Sequence, residues 1–398
     1  MIHRRTTLLL LLAVILMGAG CAAQTSSEFV VSSDPELASL ASEILPDVAA
    51  RSGMELSRPV RLEVRDSEEL ERYLVSKLDA DLPPDEARAR VDVYSRLGLV
   101  EPDLDLRALL LSLYGEQVAG FYEPDSTAFF IIEGQQEMAL RPLLAHELVH
   151  AVQDQSTDLV AITDPDIGSD RASAAMAVVE GQATLVMLEY MTEQVTGQPA
   201  DLAAIEDFAA QVRPTLELAA QFPALANAPR VIRDGLIFPY VEGAIYVHTR
   251  WNGTERTSLF GDDLPLSTEQ ILDPLAGPPI DVSVTAAAGE VVLTDQIGRL
   301  ELGILAEDVL GAGDAPFLDA WAGDRYLLTE AGDGSRTLTY AVAWDDESSA
   351  DSFEASVLER EVAFGGPVRV RRVAEAGLPT TILQVGAPVD VTVEVGPS

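Results

Sequence analysis

The sequence is poor in sulfur and in positive charge. Its 398 residues include one cysteine, one lysine and four histidines. A lone cysteine cannot form a disulfide bond within the chain. The 26 basic residues stand against 65 acidic ones, for a net charge of −39, and the acidic residues are scattered rather than gathered in one block. Such a surface repels nucleic acids and anionic lipid headgroups, so neither is an expected partner.

The first 23 residues have the features of a bacterial export signal. Two arginines precede a short apolar run, and small residues follow it. Cys21 lies directly after the run, where bacterial lipoproteins carry their lipid-modified cysteine, although Gly18 stands where that motif usually has leucine. We therefore expect a lipid anchor at Cys21, on the outer face of the cell membrane or in the periplasm, and a tether over residues 24–33. Cleavage after Ala23 and secretion is the alternative.

The strongest pattern is a His-Glu-Leu-Val-His sequence, in which His146 and His150 are four residues apart. We predict that residues 141–155 form one helix with Pro142 in its first turn, where the missing N–H of proline has no helical partner anyway. Residues four apart share a helix face, so both imidazoles can bind one metal ion. Glu147 lies one step around the helix, within reach of a water molecule on that metal. The pattern is typical of zinc metalloproteases, and the alternative is a surface helix with solvated side chains.

A catalytic zinc ion takes three protein ligands and keeps one position open for water. Glu180 is the candidate for the third ligand, because it is the only charged residue in an apolar segment over 174–188 that we predict to be helical. A buried carboxylate is costly unless a positive charge compensates it, and a zinc ion would do so. Gly181 beside it allows another backbone to approach closely.

Two other residues compete for the third ligand position. Asp154 lies one turn beyond His150 on the same helix face, and His248 lies far along the chain. Asp154 is also a candidate to hold a ligand histidine in place from behind. In a further alternative, Glu180 pairs with an arginine such as Arg171 or faces solvent.

At these residues the chain resembles the gluzincin zinc peptidases. In that group a His-Glu-x-x-His helix is followed by a helix whose glutamate completes the zinc site, often in a Glu-x-x-Ala setting like that of Glu180 and Ala183. The longer pattern, His-Glu-Leu-Val-His-Ala-Val-Gln-Asp-Gln, also resembles bacterial secreted proteins and lipoproteins with this signature. The resemblance implies that His146, His150 and Glu180 hold Zn²⁺. It also implies that Glu147 acts as general base toward a zinc-activated water.

A zinc peptidase also uses a hydrogen-bond donor that steadies the oxyanion formed at the attacked carbonyl. We expect this donor on a helix that Pro239 opens. Tyr240 is the first choice and His248 the second, and the alternative is that both are packing residues. The gluzincin resemblance further implies that the strand over 128–133 lines the substrate cleft, although a buried core strand fits that sequence equally well.

We predict an α+β fold. A mainly helical gluzincin-like metallopeptidase core with a small strand layer is expected over 34–275, followed by a proline- and glycine-rich hinge and a smaller α+β domain over 280–398. The second domain has no histidine or cysteine and no pattern that indicates chemistry. With 47% hydrophobic residues, the chain can bury substantial cores in both parts.

These patterns together predict an extracytoplasmic, zinc-dependent peptidase that acts on a peptide or protein substrate. One alternative is a binding or scaffolding lipoprotein that retains the metal without turnover. Another is a metal-dependent hydrolase of a non-peptide substrate. Glu147 argues against the binding protein, because zinc binding alone needs no base at that position.

Overall fold

The structure is a computed structural model that describes residues 29–117, 119–135, 137–202, 205–219, 223–251, 256–373 and 377–396. Helices make up 54% of it and strands 20%, so the fold is α+β, as predicted. The predicted export signal and Cys21 lie outside the described residues. Within the described part of the chain, no helix is both long and apolar enough to cross a membrane.

The first part of the chain combines many helices with four short strands. The strands are β1 (Val30–Ser32), β2 (Val60–Arg65), β3 (Gly120–Glu123) and β4 (Ala128–Ile132). The helices are α1 (Pro35–Ser52), α2 (Ser67–Asp81), α3 (Pro84–Arg96), α4 (Leu106–Gln117), α5 (Glu137–Gln153), α6 (Leu159–Ile162), α7 (Ser169–Thr196), α8 (Phe208–Ala219), α9 (Pro223–Asn227), α10 (Arg230–Trp251) and α11 (Thr268–Leu272). Single turns of 3₁₀ helix cover Pro124–Ser126, Pro165–Ile167 and Gly261–Asp263.

Local capping signals explain several of these boundaries. The Asp34 side chain accepts two backbone N–H groups at the start of α1, and Gly53 ends that helix in the left-handed conformation with φ 70°. Asp66 and Glu69 form a reciprocal capping box at the start of α2. Each of these bonds satisfies a helix-end group that has no partner within its own helix.

The four strands form one sheet in the order β1-β2-β4-β3. The pairs β1–β2 and β2–β4 are parallel, whereas β3 runs antiparallel to β4 and lies at the sheet edge. All five residues of β4 are buried. Of the two interpretations of 128–133, the core strand is therefore confirmed. Both β3 and β4 pack against α5, and β3 does so at the sheet edge.

Helix α5 packs against this sheet, and α5, α7 and α10 share one hydrophobic core with α1 and with buried residues of the strands. The closest helix contact is between α7 and α10. A Cβ atom added to Gly181 would overlap the backbone of Gly243, and one added to Gly243 would overlap the carbonyl of Ala177. The two helices therefore meet backbone to backbone, which only glycine allows at these two positions.

Two predicted helix starts are wrong, both at a proline. Helix α5 begins at Glu137, so Pro142 lies within the helix rather than in its first turn. Helix α10 begins at Arg230, so Pro239 lies in its interior. Pro229 precedes α10, and its carbonyl accepts the N–H of Arg233. One interior proline costs a helix a single backbone hydrogen bond and some strain, and in each case the burial of the helix outweighs this cost.

The last part of the chain is rich in strands. They are β5 (Asp281–Ala286), β6 (Glu290–Asp295), β7 (Trp321–Glu330), β8 (Arg336–Trp344), β9 (Val368–Val373), β10 (Thr380–Val385) and β11 (Val391–Gly396). The helices here are α12 (Gly298–Ile304), which continues as a π-helical turn over Leu305–Leu310, and α13 (Glu347–Glu359), with 3₁₀ turns at Pro316–Leu318 and Glu361–Ala363. The sequence has strand-like runs at 282–285, 325–329, 337–344, 368–373, 380–385 and 389–395, which predict all of these strands except β6.

Five of these strands form an antiparallel sheet in the order β6-β7-β8-β10-β9, and β5 pairs with β11 in a separate ribbon. One face of the sheet forms a second core with α12 and α13. Helix α3 joins this core through Ala89, Val93 and Leu97, so the packing crosses the predicted division at 275–280. The division into two domains stays a prediction.

Candidate metal centre

His146 and His150 lie one turn apart on α5, and both rings face Glu180 on α7. Glu180 Oε2 lies 3.0 Å from His146 Nε2 and 3.4 Å from His150 Nε2. The two Nε2 atoms are 3.1 Å apart. Within the described residues, this is the one group of His, Cys, Asp and Glu side chains that could hold a metal ion. The structure thus brings together the three residues that the sequence singled out as ligands.

The three donor atoms fit a zinc ion in chemistry and in spacing. Bonds of about 2.0 to 2.1 Å at tetrahedral angles place zinc ligand atoms roughly 3.3 Å apart. The observed separations of 3.0, 3.1 and 3.4 Å lie close to that value. Two imidazoles and one carboxylate are also the ligand set of one class of catalytic zinc site, which keeps a further position for water.

The charges of the three residues are strongly coupled. Burial opposes a charge on Glu180, but the two histidines outweigh this effect and hold the pKa of its carboxyl well below the usual range. Burial also opposes protonation of His150, but the charge of Glu180 outweighs it and raises the pKa of that imidazole to about 9. A metal ion that binds His150 must therefore displace a proton, so zinc affinity depends on pH.

Glu147 lies next to His146 on α5 and is buried, but it does not belong to the ligand group. Burial raises the pKa of its carboxyl, although His150 and His146 act in the opposite direction. Its Oε2 atom accepts the backbone N–H of Tyr122, on the edge strand β3, at 2.8 Å. This bond holds the carboxylate beside the ligands without placing it among them.

Tyr240 reaches the site from α10. Its ring lies over that of His146, with centroids 6.0 Å apart and an interplanar angle of 27°. The negative charge of Glu180, together with burial of the hydroxyl, raises the pKa of Tyr240 well above its usual value. The residue as a whole remains 42% exposed, and its hydroxyl interacts with the Glu180 carboxylate.

His248 does not belong to the site. It stacks on Phe208, with ring centroids 4.2 Å apart and an interplanar angle of 6°. It is absent from the ligand group. It lies eight residues beyond Tyr240 on α10, which corresponds to a rise of about 12 Å and a net rotation of about 80°, so the two side chains have different surroundings. Among the described residues, then, His248 acts as a packing residue.

Asp154 does not join the ligand group, and the expectation that it holds a ligand histidine is wrong. Its Oδ2 atom instead accepts the hydroxyl of Tyr122 at 2.9 Å. The residue behind His150 is Gln153, whose Oε1 lies 2.8 Å from His150 Nδ1. Arg171, the alternative partner of Glu180, is exposed near the start of α7 and forms no ion pair with it in the described part of the chain.

Three further residues support the site and were not predicted from the sequence: Tyr122, Gln153 and Gln182. Tyr122 bonds both Glu147 and Asp154. Gln153 and Gln182 are 0% and 1% exposed and bond each other at 2.7 Å. One signal was available, because a glutamine inside an apolar helix must find a hydrogen-bond partner when it is buried.

His150 and Glu180 line a cleft of about 350 Å³. Leu159, Val160 and Met176 supply apolar walls, and Lys77, the single lysine of the chain, also lines it. Two of the three candidate ligands therefore border a cleft that a small molecule could enter.

No family model matches this chain, and no match was found among curated proteins or solved structures.

Proposed function

We propose that the protein is a zinc-dependent peptidase that works outside the cytoplasm. The proposal is carried by the convergence of His146, His150 and Glu180, whose donor atoms lie 3.0 to 3.4 Å apart beside an open cleft. A His-Glu-x-x-His helix followed by a glutamate-bearing helix supports the gluzincin type of site within the predicted mainly helical core. Burying a carboxylate and two imidazoles this close together costs free energy, which a bound cation or shared protons would offset.

Two residues have assigned roles in the reaction. A bound zinc ion would supply Lewis acidity for a water molecule and for the carbonyl of the scissile peptide bond. Glu147 accepts a proton from the attacking water and later passes it to the leaving amine. Tyr240 donates its hydroxyl hydrogen to the carbonyl oxygen as negative charge develops there. The Tyr122 N–H keeps the Glu147 carboxylate oriented throughout.

The proposed location rests on the first 23 residues. An export signal with Cys21 directly after its apolar run supports a lipid anchor outside the cytoplasm. Cys21→Ser should release the protein into the soluble fraction of its native host. Membrane association that stays unchanged in this variant would contradict the anchor.

The test of function combines zinc content with cleavage of a broad peptide library. The mature protein should bind about one zinc ion per chain, as expected for a three-ligand site, and should cleave some library members. Glu147→Gln should keep the zinc but lose about 10²–10⁴-fold in rate, because an amide cannot accept the proton. Glu68→Gln is the matched control, since its side chain is 88% exposed on α2, and it should leave both quantities unchanged.

Two outcomes would contradict the proposal. If the wild-type chain binds no zinc, the proposed metal site is wrong. A zinc-loaded wild type that releases fragments no faster than Glu147→Gln favours the alternative of a metal-retaining binding lipoprotein. Turnover of a non-peptide substrate, lost in Glu147→Gln, would keep the metal site and replace only the substrate class.

A further inference from the structure

A row of buried amide groups leads from His150 to the end of α1. His150 Nδ1 lies 2.8 Å from Gln153 Oε1. Gln153 Nε2 donates to Gln182 Oε1 at 2.7 Å, and Gln182 Nε2 donates to the carbonyl oxygen of Ser52 at 3.1 Å. Gln153, Gln182 and Ser52 are 0%, 1% and 2% exposed, so solvent does not compete for these bonds. We call Gln153, Gln182 and the Ser52 carbonyl the amide relay.

The direction of each bond in the amide relay follows from its last member. The Ser52 oxygen can only accept, so Gln182 must turn Nε2 toward it and Oε1 toward Gln153. Gln153 must then turn its own Nε2 toward Gln182. The same nitrogen also donates to the carbonyl of Val179 at 3.0 Å, which requires that orientation independently. Gln153 Oε1 is thus left facing His150, where it accepts a hydrogen bond only from a protonated Nδ1.

We propose that Gln153 and Gln182 are positioning residues that set the tautomer of His150. With the proton held on Nδ1, the lone pair of the neutral imidazole is on Nε2. Nε2 is the atom that faces Glu180 Oε2, at 3.4 Å. The amide relay therefore orients the ring so that Nε2 is the nitrogen left for the metal ion. This inference rests on the proposed function, since it concerns a zinc ligand.

The amide relay also suits the charge of the site. The outer partner of a metal-bound histidine is often a carboxylate. Here the partner is a neutral amide, so the pocket that already contains Glu147 and Glu180 gains no third negative charge. His146 offers a contrast within the site, because no bond to its Nδ1 occurs among the described residues. Its ring instead stacks with Tyr240.

The amide relay joins α1, α5 and α7, so a purely structural role has to be distinguished from a positioning role. A structural role predicts lower thermal stability with unchanged zinc affinity in the folded variant. A positioning role predicts weaker zinc binding and an altered environment of the Nδ1 proton, because an outer hydrogen bond fixes the ligand ring.

The first experiment measures the zinc Kd of the mature protein and of two variants. Gln153→Met keeps the length of the side chain and deletes the acceptor, and it should raise the Kd roughly 10–100-fold. Gln155→Met is the matched control two residues further on. The Gln155 side chain bonds the N–H groups of Ser57 and Arg58 rather than the site, so its Kd should equal that of the wild type. A folded Gln153→Met variant with wild-type zinc affinity would overturn the positioning role.

The second experiment needs no variant and so decides the question even if Gln153→Met does not fold. In zinc-loaded protein with ¹⁵N-labelled histidine, NMR should show zinc on Nε2 of His150 and a slowly exchanging proton on Nδ1. The Nδ1 proton of His146 should exchange faster. Zinc on Nδ1 of His150, or equally fast exchange at both rings, contradicts the amide relay. A wild type that binds no zinc contradicts the proposed function instead, so the two failures are distinguishable.

Discussion

Buried carboxylates occur in two regions of this protein, and their partners differ. At the candidate metal centre, Glu180 faces the ring nitrogens of two histidines. In the C-terminal sheet, Asp324 accepts four hydrogen bonds of 2.9 to 3.2 Å, two from backbone N–H groups and two from the side chains of Trp321 and Tyr340. The four donors around Asp324 converge on its two oxygens, whereas Glu180 and its histidines all point at one shared position.

This difference separates a structural acid from a candidate ligand. Burial raises the pKa of Asp324 to about 6, because neutral donors offset only part of the desolvation. The histidines lower the pKa of Glu180 despite comparable burial. A buried acid therefore does not by itself indicate a functional site. Convergence of several metal-ligating atoms on one position is the more informative feature.

The largest expected effects come from replacing each of these two acids by alanine. Glu180→Ala should weaken zinc binding roughly 10³-fold or more, since losing a ligand exceeds the 10–100-fold effect of an outer partner. Asp324→Ala should leave the zinc Kd unchanged but lower the free energy of unfolding by roughly 3 kcal/mol or more, because four donors lose their acceptor. Zinc titration and denaturant unfolding of both variants measure this. Loss of zinc in Asp324→Ala but not in Glu180→Ala would invert the comparison.

The next effect concerns the tyrosine at the metal centre. Tyr240→Phe keeps the ring that lies over His146 and deletes only the hydroxyl, so turnover should fall by about 10²–10³-fold with little change in KM. Tyr246→Phe, at a buried position on the same helix, should leave the kinetics unchanged. Steady-state kinetics on one cleaved peptide would measure both. Equal kcat values for the two variants would make Tyr240 a packing residue.

A smaller effect is expected where α7 and α10 meet. Gly243→Ala should destabilise the protein by about 1–3 kcal/mol, because the added methyl group overlaps the carbonyl of Ala177. It should also move Tyr240 away from the site and lower activity. Gly235 lies on the same helix with open space around it, so Gly235→Ala should stabilise the protein by about 0.5–1 kcal/mol. Thermal unfolding measures the change in stability of each variant. Changes of opposite sign in the two variants would support the close packing of α7 and α10, and changes of the same sign would contradict it.

The smallest effect concerns a third buried acid, Asp170, which accepts bonds from the N–H and the hydroxyl of Thr268. Burial raises the pKa of Asp170 to about 7. A carboxyl that holds its proton more tightly when folded costs nothing below its unfolded pKa of about 4, and it destabilises the protein as the pH rises toward 7. Asp170→Asn should therefore raise the free energy of unfolding by roughly 1–2 kcal/mol at pH 8. The neutral amide avoids part of the cost of ionising the buried carboxyl, which is about 1.4 kcal/mol for each unit of pKa shift.

The measurement for Asp170 is the difference in unfolding free energy between variant and wild type at pH 4 and at pH 8. The difference should be near zero at pH 4 and positive at pH 8. If the variant gains the same unfolding free energy at pH 4 and at pH 8, the Asp170 carboxyl does not titrate between these two pH values.

Much of the local structure was accessible from the sequence. Strands Val368–Val373 and Thr380–Val385 have the bounds of the strand-like runs in the sequence. Helix α1 begins at Pro35, where the sequence Ser33-Asp34-Pro35 predicts a capping aspartate and a first-turn proline. The prolines of α5 and α10 were misleading, because proline ends a helix only where burial of the following turns does not outweigh one lost hydrogen bond. Strand β6 was missed, since it carries mostly partly exposed residues without a strong alternation.

By itself, the sequence determined the α+β class and the shared helix face of His146 and His150, because both depend on spacing within a few residues. It also singled out Glu180, as the only charge in an apolar segment. Only the tertiary structure decided that Gln153 rather than Asp154 supports His150, and that β3 rather than β4 lies beside Glu147. The direction in which a side chain turns depends on acceptors such as the Val179 and Ser52 carbonyls, which come from helices far away in the sequence. No local pattern encodes those distances, since they arise only when the helices pack.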